Sequence, residues 1–125
     1  MKKSKDTIYA LSTPFGKSAI AVIRITGPKA HMVVRGISSH KSRAPNQSFL
    51  NTIKTKDGIK IDKTITTFFK KPKSFTGEDM VEISCHGGVA VIEKIINLLN
   101  KTKKARIAEK GEFTRRAFEN NKLEL

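Results

Sequence analysis

The sequence has one cysteine, Cys85, one tyrosine and no tryptophan. A lone cysteine excludes an internal disulfide and is the usage of a reducing compartment, so a cytoplasmic protein is expected. Carboxylates are scarce as well: Asp and Glu number 11 against 25 Lys and Arg, a formal net charge of 25 − 11 = +14. Long apolar runs are missing. The longest uninterrupted aliphatic stretch, Ala19 to Ile23, is far too short to cross a bilayer, so no membrane association is expected. The opening Met1-Lys2-Lys3-Ser4-Lys5-Asp6 has the charge of a signal-peptide start, but no apolar stretch follows it. Internal repeats and low-complexity tracts are absent too.

What is present suits one small domain. The chain has 125 residues, 38% of them apolar, which is enough for one core and too few for two. The positive balance favours polyanionic partners such as nucleic acid, yet lysines that merely solvate a surface account for it equally well. The basic residues are scattered along the chain, and no closely spaced strand aromatics offer the stacking platform of an RNA-binding sheet.

Strands dominate the first part and helices the last. Thr7–Ser12 reads as a strand, followed by a turn at Thr13-Pro14-Phe15-Gly16. Ala19–Thr26 is a second strand, closed by Gly27-Pro28, and Pro28 opens a short helix to about Gly36. Ser38–Gln47 is polar and basic, hence a loop. Ser48–Thr55 and Ile59–Phe69 form a hairpin through Lys56-Asp57-Gly58, since Asp-Gly supplies the positive φ of a tight turn. In the second arm Ile59, Ile61, Lys63, Ile65, Thr67 and Phe69 share one parity, which predicts that face as the core side. Asp79–Cys85 is a further strand. Gly87-Gly88 opens a helix whose Val91, Ile92, Ile95, Ile96 and Leu99 recur at helical spacing. A brief strand is expected at Ala105–Ala108 and a last helix at Glu112–Glu119. The stop at Lys122-Leu123-Glu124-Leu125 carries no terminating signal, so a fragment is expected.

Gly16-Lys17-Ser18 imitates the end of a phosphate-binding loop. The full pattern requires a glycine where Leu11 stands, and it feeds a helix where this sequence is strand-like. Nucleotide binding is not expected there. Two strand charges carry more weight. Arg24 shares a face with Ile20 and Val22, and Glu82 shares one with Met80 and Ser84. Each charge among apolar neighbours requires a partner, a ligand or open water. A structural Arg–Glu pair, two residues on a solvated face and a ligand site all satisfy that requirement. Cys85-His86-Gly87-Gly88 follows. Neighbouring strand residues project to opposite faces, so Cys85 and His86 cannot easily share a metal, and His31 and His40 lack ligand-like spacing. No metal site is expected.

Ile23-Arg24-Ile25-Thr26-Gly27, Ser74-Phe75-Thr76-Gly77-Glu78-Asp79, Cys85-His86-Gly87-Gly88 and Gly111-Glu112-Phe113-Thr114-Arg115-Arg116-Ala117-Phe118 occur in that order. With Asp6-Thr7-Ile8 and Thr13-Pro14-Phe15-Gly16, they closely resemble the N-terminal domain of the tRNA-modifying GTPase family MnmE (TrmE). The resemblance implies an α+β fold similar to the tetrahydrofolate-binding domain of the glycine-cleavage T protein. It implies binding of a tetrahydrofolate derivative, in the 5-formyl or methylene form, and a homodimer with the folate site near the subunit interface. Matching positions make Arg24, Glu82 and Lys122 the implied folate contacts. Residues 1–121 would be the folate-binding domain, and 122–125 the start of a helical domain. GTP, Mg and K would belong to a GTPase domain outside this chain. A flavoprotein partner, MnmG (GidA), and tRNA complete the implied system, which modifies carbon 5 of the wobble uridine.

The chain departs from the family in small ways: Lys110 stands where proline is usual, and Lys17-Ser18 replace a glycine-rich turn. GTPase motifs and the family's C-terminal cysteine do not occur in it. A domain that binds and assembles, without catalysis of its own, is therefore expected. A free-standing basic RNA-binding protein and a T-protein-like aminomethyltransferase piece are the alternatives.

Overall fold

β-Branched residues recurring at alternate positions produce strands, and the three-and-four spacing of Ile92, Ile95 and Leu99 produces the long helix. The computed structural model describes residues 6–12, 19–40 and 44–123. The turn expected at Thr13-Pro14-Phe15-Gly16, with Gly16-Lys17-Ser18, lies outside the described residues, as do Lys41, Ser42, Arg43, Glu124 and Leu125.

The elements are β1 (Ile8–Leu11), β2 (Ile20–Thr26), α1 (Ala30–Arg35), β3 (Ser48–Lys54), β4 (Lys60–Phe69), β5 (Met80–His86), α2 (Val89–Lys101), β6 (Arg106–Ile107) and α3 (Glu112–Glu119). They build an α+β domain around a single six-stranded sheet of order β3-β4-β5-β2-β1-β6. Neighbours run antiparallel except β1 and β6, which are parallel, so the sheet is mixed.

One face of the sheet packs under α1 and α2. Tyr9, Ile23, Ile25, Val81, Ile83 and Phe68 meet Val34, Ile92, Ile95 and Leu99 there, all buried. At about 25 cal/mol per Å² of apolar surface, this cluster supplies the main drive for folding. The opposite face is closed only at one end. Ile8, Thr26 and Met80 are buried there; Asn120, at the C-terminal end of α3, donates through Nδ2 to the carbonyl of Thr76 in the loop before β5 (2.8 Å), and Thr76 Oγ1 lies 3.8 Å from Met80 Sδ. The remainder of this face is open.

The hairpin assigns its faces opposite to expectation. Ile59, Ile65 and Leu50 are exposed, whereas Thr64, Thr66 and Phe68 are buried. Polar groups are tolerated on the buried side because they satisfy one another. Asn51 Nδ2 donates to Ser38 Oγ (2.9 Å) and Thr66 Oγ1 (3.2 Å), and Thr64 Oγ1 donates to the Asn51 carbonyl (2.6 Å). Among the described residues no buried side-chain nitrogen or oxygen lacks a hydrogen bond. From Lys63 onward the apolar parity of β4 therefore marks a face left open by the helices; Ile61, of the same parity, still packs against the core cluster.

Candidate functional site

On the open face, pairing of β2 with β5 makes Arg24 and Glu82 direct partners across the ladder. Arg24 Nε donates to Glu82 Oε2 at 2.8 Å, with the two side chains 32% and 27% exposed. A pair this exposed contributes only about 0–1 kcal/mol to folding. It uses one N–H and one carboxylate oxygen, so the remaining guanidinium donors and Glu82 Oε1 make no hydrogen bond among the described residues. The Phe75 ring lies over Arg24, its centroid 5.5 Å from Cζ, and is itself partly exposed. In the sequence Phe75 stands out only as part of the Ser74–Asp79 motif. An aromatic residue flanked by Ser74 and Thr76-Gly77 in a loop was the available signal.

Lys122 reaches the same loop from the chain's far end. Its backbone N–H donates to the Ala117 carbonyl (2.8 Å), continuing the last turn of α3. Gly77 holds φ +82, and a Cβ there would sit 2.9 Å from Asn120 Cβ and 3.2 Å from Lys122 Cγ. Glycine is therefore required twice, by its left-handed backbone and by close approach. The segment Phe75–Gly77 thus touches Arg24 at one end and Lys122 at the other.

A buried polar network fixes this segment to α3. Thr26 Oγ1 lies 2.6 Å from Thr76 Oγ1 and donates to Glu78 Oε1 (2.8 Å). Arg116 Nη1 donates to the Asp6 carbonyl (2.6 Å) and to Glu78 Oε1 (3.3 Å). Glu112 accepts from Arg106 Nη2 at 2.7 Å and from Arg116 Nη2 at 3.4 Å. The hydrogen bonds from Arg106 hold the Glu112 carboxyl down to about 2 against the opposing cost of burial. The same bonds raise the pKa of Arg106. Sequence reading missed the network, whose members lie up to 110 positions apart.

Beside Arg24 a cavity of about 290 Å³ opens between β1 and the start of α3, lined among others by Ala10, Leu11, Ser12 and Gly111 to Thr114. At the other end of β5, Cys85 and His86 do project apart. Cys85 is buried, and burial pushes its thiol up to about 11. His86 is exposed, its Nδ1 2.7 Å from Asp62 Oδ1, while its backbone N–H donates to Asp62 Oδ2 (2.9 Å). Among the described residues no group of His, Cys, Asp and Glu could hold a metal, and no helix is long and apolar enough to cross a membrane.

The motifs carrying this geometry match a family model described as the GTP-binding protein TrmE N-terminus, over residues 7–122. The chain belongs to the TrmE N-terminal family. It is 47% identical over 121 residues to a tRNA modification GTPase MnmE of Pseudothermotoga lettingae, covering 96% of this chain and 27% of the relative. The corresponding protein of Thermotoga maritima is 43% identical over 120 residues, covering 96% and 26%. That of Brucella ovis is 48% identical over 120 residues, covering 96% and 27%. The chain thus spans about a quarter of the relatives it matches. The TrmE N-terminal match runs through Arg24, Phe75, Gly77, Glu82 and Lys122.

Proposed function

We propose that the chain is the tetrahydrofolate-binding and pairing domain of a tRNA modification GTPase. The observation that carries this is the partly exposed Arg24–Glu82 pair with unused hydrogen-bonding capacity, its Arg24 set against the Phe75 ring. A pterin presents adjacent amino and ring N–H donors, which suit a carboxylate such as Glu82 and a flat ring such as Phe75. Arg24 and Lys122 supply positive charge for carbonyl and carboxylate oxygens of the 5-formyl or methylene form. The donor set therefore fits the group. Tetrahydrofolate, when bound, supplies a one-carbon unit; the residues of this chain bind and orient it.

Pairing of two copies is supported by the same face. Leu50 and Ile65 are register partners, 65% and 43% exposed, and Ile20 is 59% exposed. An apolar strip of this kind on a sheet face is the signature of an interaction surface. The cavity beside Arg24, about 290 Å³, lies at the small end of the roughly 300–1,000 Å³ usual for ligand sites. In the proposed arrangement residues 1–121 form this domain and 122–125 begin a helical one. GTP, Mg and K act in a separate domain, and the flavoprotein MnmG (GidA) joins in modifying carbon 5 of the tRNA wobble uridine in the cytoplasm.

Titration of 5-formyltetrahydrofolate by calorimetry tests the assignment. Glu82→Ala and Arg24→Ala each weaken binding about 10- to 100-fold, the worth of a hydrogen bond to a charged group. Affinity unchanged in both variants would refute it.

A further inference from the structure

Arginine and lysine divide the basic surface between them. Arg24, Arg106, Arg115 and Arg116 are all tied to carboxylates, whereas among the described residues no lysine joins an ion pair. Lysines distant in sequence gather at one edge. A cavity of about 430 Å³ is lined by Lys29, Lys103, Lys104 and Arg106, and an adjoining one of about 730 Å³ by Lys56, Lys101 and, again, Lys104. The carboxylates in these linings are Asp6, held by Arg106, and Asp57. The larger cavity has an apolar floor of Val33, Ile37 and Leu98, suited to sugar and base faces beside a lysine rim.

Lys103 adds an independent sign. It holds φ +61, a left-handed conformation just past α2 where glycine or asparagine is the unstrained choice. Among the described residues the other non-glycine positions with positive φ are Asn46 and Asn121, a type that tolerates it. A lysine kept there at a cost of roughly 1 kcal/mol suggests that its charge is used.

We infer that the edge formed by Lys29, Lys56, Lys101, Lys103 and Lys104 contacts the phosphate backbone of RNA. Choosing RNA among polyanions rests on the proposed role in tRNA modification; the charged edge itself does not. The ammonium groups meet phosphates as point charges, so binding is sequence-independent and falls steeply with salt.

Fluorescence anisotropy of a labelled, unmodified tRNA transcript with the 125-residue chain, across a sodium chloride series, tests this. The variant Lys101→Gln/Lys103→Gly/Lys104→Gln is compared with Lys63→Gln/Lys70→Gln/Lys94→Gln, which removes equal charge away from both cavities. The edge variant is expected to lose at least about 10-fold in affinity and about 2–3 in the slope of log K against log salt, as loss of phosphate contacts predicts. The control variant loses less than about 3-fold. Lys103→Gly alone lowers affinity while raising the melting temperature, a pairing that misfolding cannot produce. Equal losses in both triple variants, or no tRNA binding by the parent chain, would overturn the inference. So would tighter binding to phosphatidylserine vesicles than to tRNA with the same edge dependence. Folate titration of the edge variant separates the two proposals: unaltered folate affinity with lost RNA binding isolates this edge. RNA binding without any folate binding defeats the folate assignment alone.

Discussion

The two faces of the sheet follow different rules. Under α1 and α2 the side chains are apolar, or polar and mutually bonded like Asn51, Thr64 and Thr66. On the other face isoleucine and leucine lie exposed beside an Arg–Glu pair that is only half satisfied. The difference separates stability from recognition. A closed face keeps what folding requires, and an open one keeps groups that folding does not use. The contrast is broken first by truncation in the closed face. Ile83→Ala is expected to cost about 2–5 kcal/mol in urea unfolding, as loss of a fully buried isoleucine does. A cost below about 1 kcal/mol would mean that the helices do not seal that face.

Where α3 closes one end of the open face, charge replaces apolar packing. The hydrogen bonds from Arg106 hold Glu112 at about 2 in the folded protein, against an ordinary value of 4.5 that it regains on unfolding. A depressed folded-state pKa stabilises the protein above the unfolded value and loses that stability as pH falls toward the folded one. A contribution of at most about 3.4 kcal/mol is therefore expected at neutral pH, disappearing between about pH 4.5 and 2. Glu112→Gln should be less stable at pH 7 and show a flatter acid profile by circular dichroism. A profile identical to the parent chain's would place the acid-sensitive group elsewhere.

Much of the closed face was legible in the sequence, because it depends on local periodicity. The spacing of Ile92, Ile95 and Leu99 indicated α2, and Glu112–Glu119 has the expected bounds of α3. Strand parity likewise put Arg24 with Ile20 and Val22, and Glu82 with Ser84. Periodicity failed in β4, where the apolar parity faces out from Lys63 onward, because mutual hydrogen bonding of Asn51, Thr64 and Thr66 allowed the polar parity to be buried. Nor could it register Arg24 against Glu82, or bring Lys122 to Gly77, since those juxtapositions depend on pairing between distant segments.

Two glycines sharpen the contrast between backbone strain and site geometry. Gly58 and Gly77 both have positive φ, +88 and +82, but a Cβ on Gly58 meets nothing within 4 Å. Each alanine substitution should cost about 1–2 kcal/mol for the left-handed backbone. Only Gly77→Ala should also weaken folate binding, by displacing Lys122. Equal folate affinity in the two variants would detach Lys122 from the site.

The smallest effect on folding is expected on the open strip itself. Replacing Leu50 and Ile65 together by serine removes apolar surface that the single chain leaves largely in water, so unfolding free energy at low concentration should change by about 1 kcal/mol, the worth of one cross-strand pair. In sedimentation at high concentration with folate present, the same variant should shift from dimer to monomer. The two measurements bind the comparison together. A face that serves recognition tolerates polar substitution in the monomer and loses its partner, whereas a hidden part of the core would lose stability first. Dimerisation that survives the double substitution would move the pairing surface off this strip, and a large loss of monomer stability would mean that the strip belongs to the core.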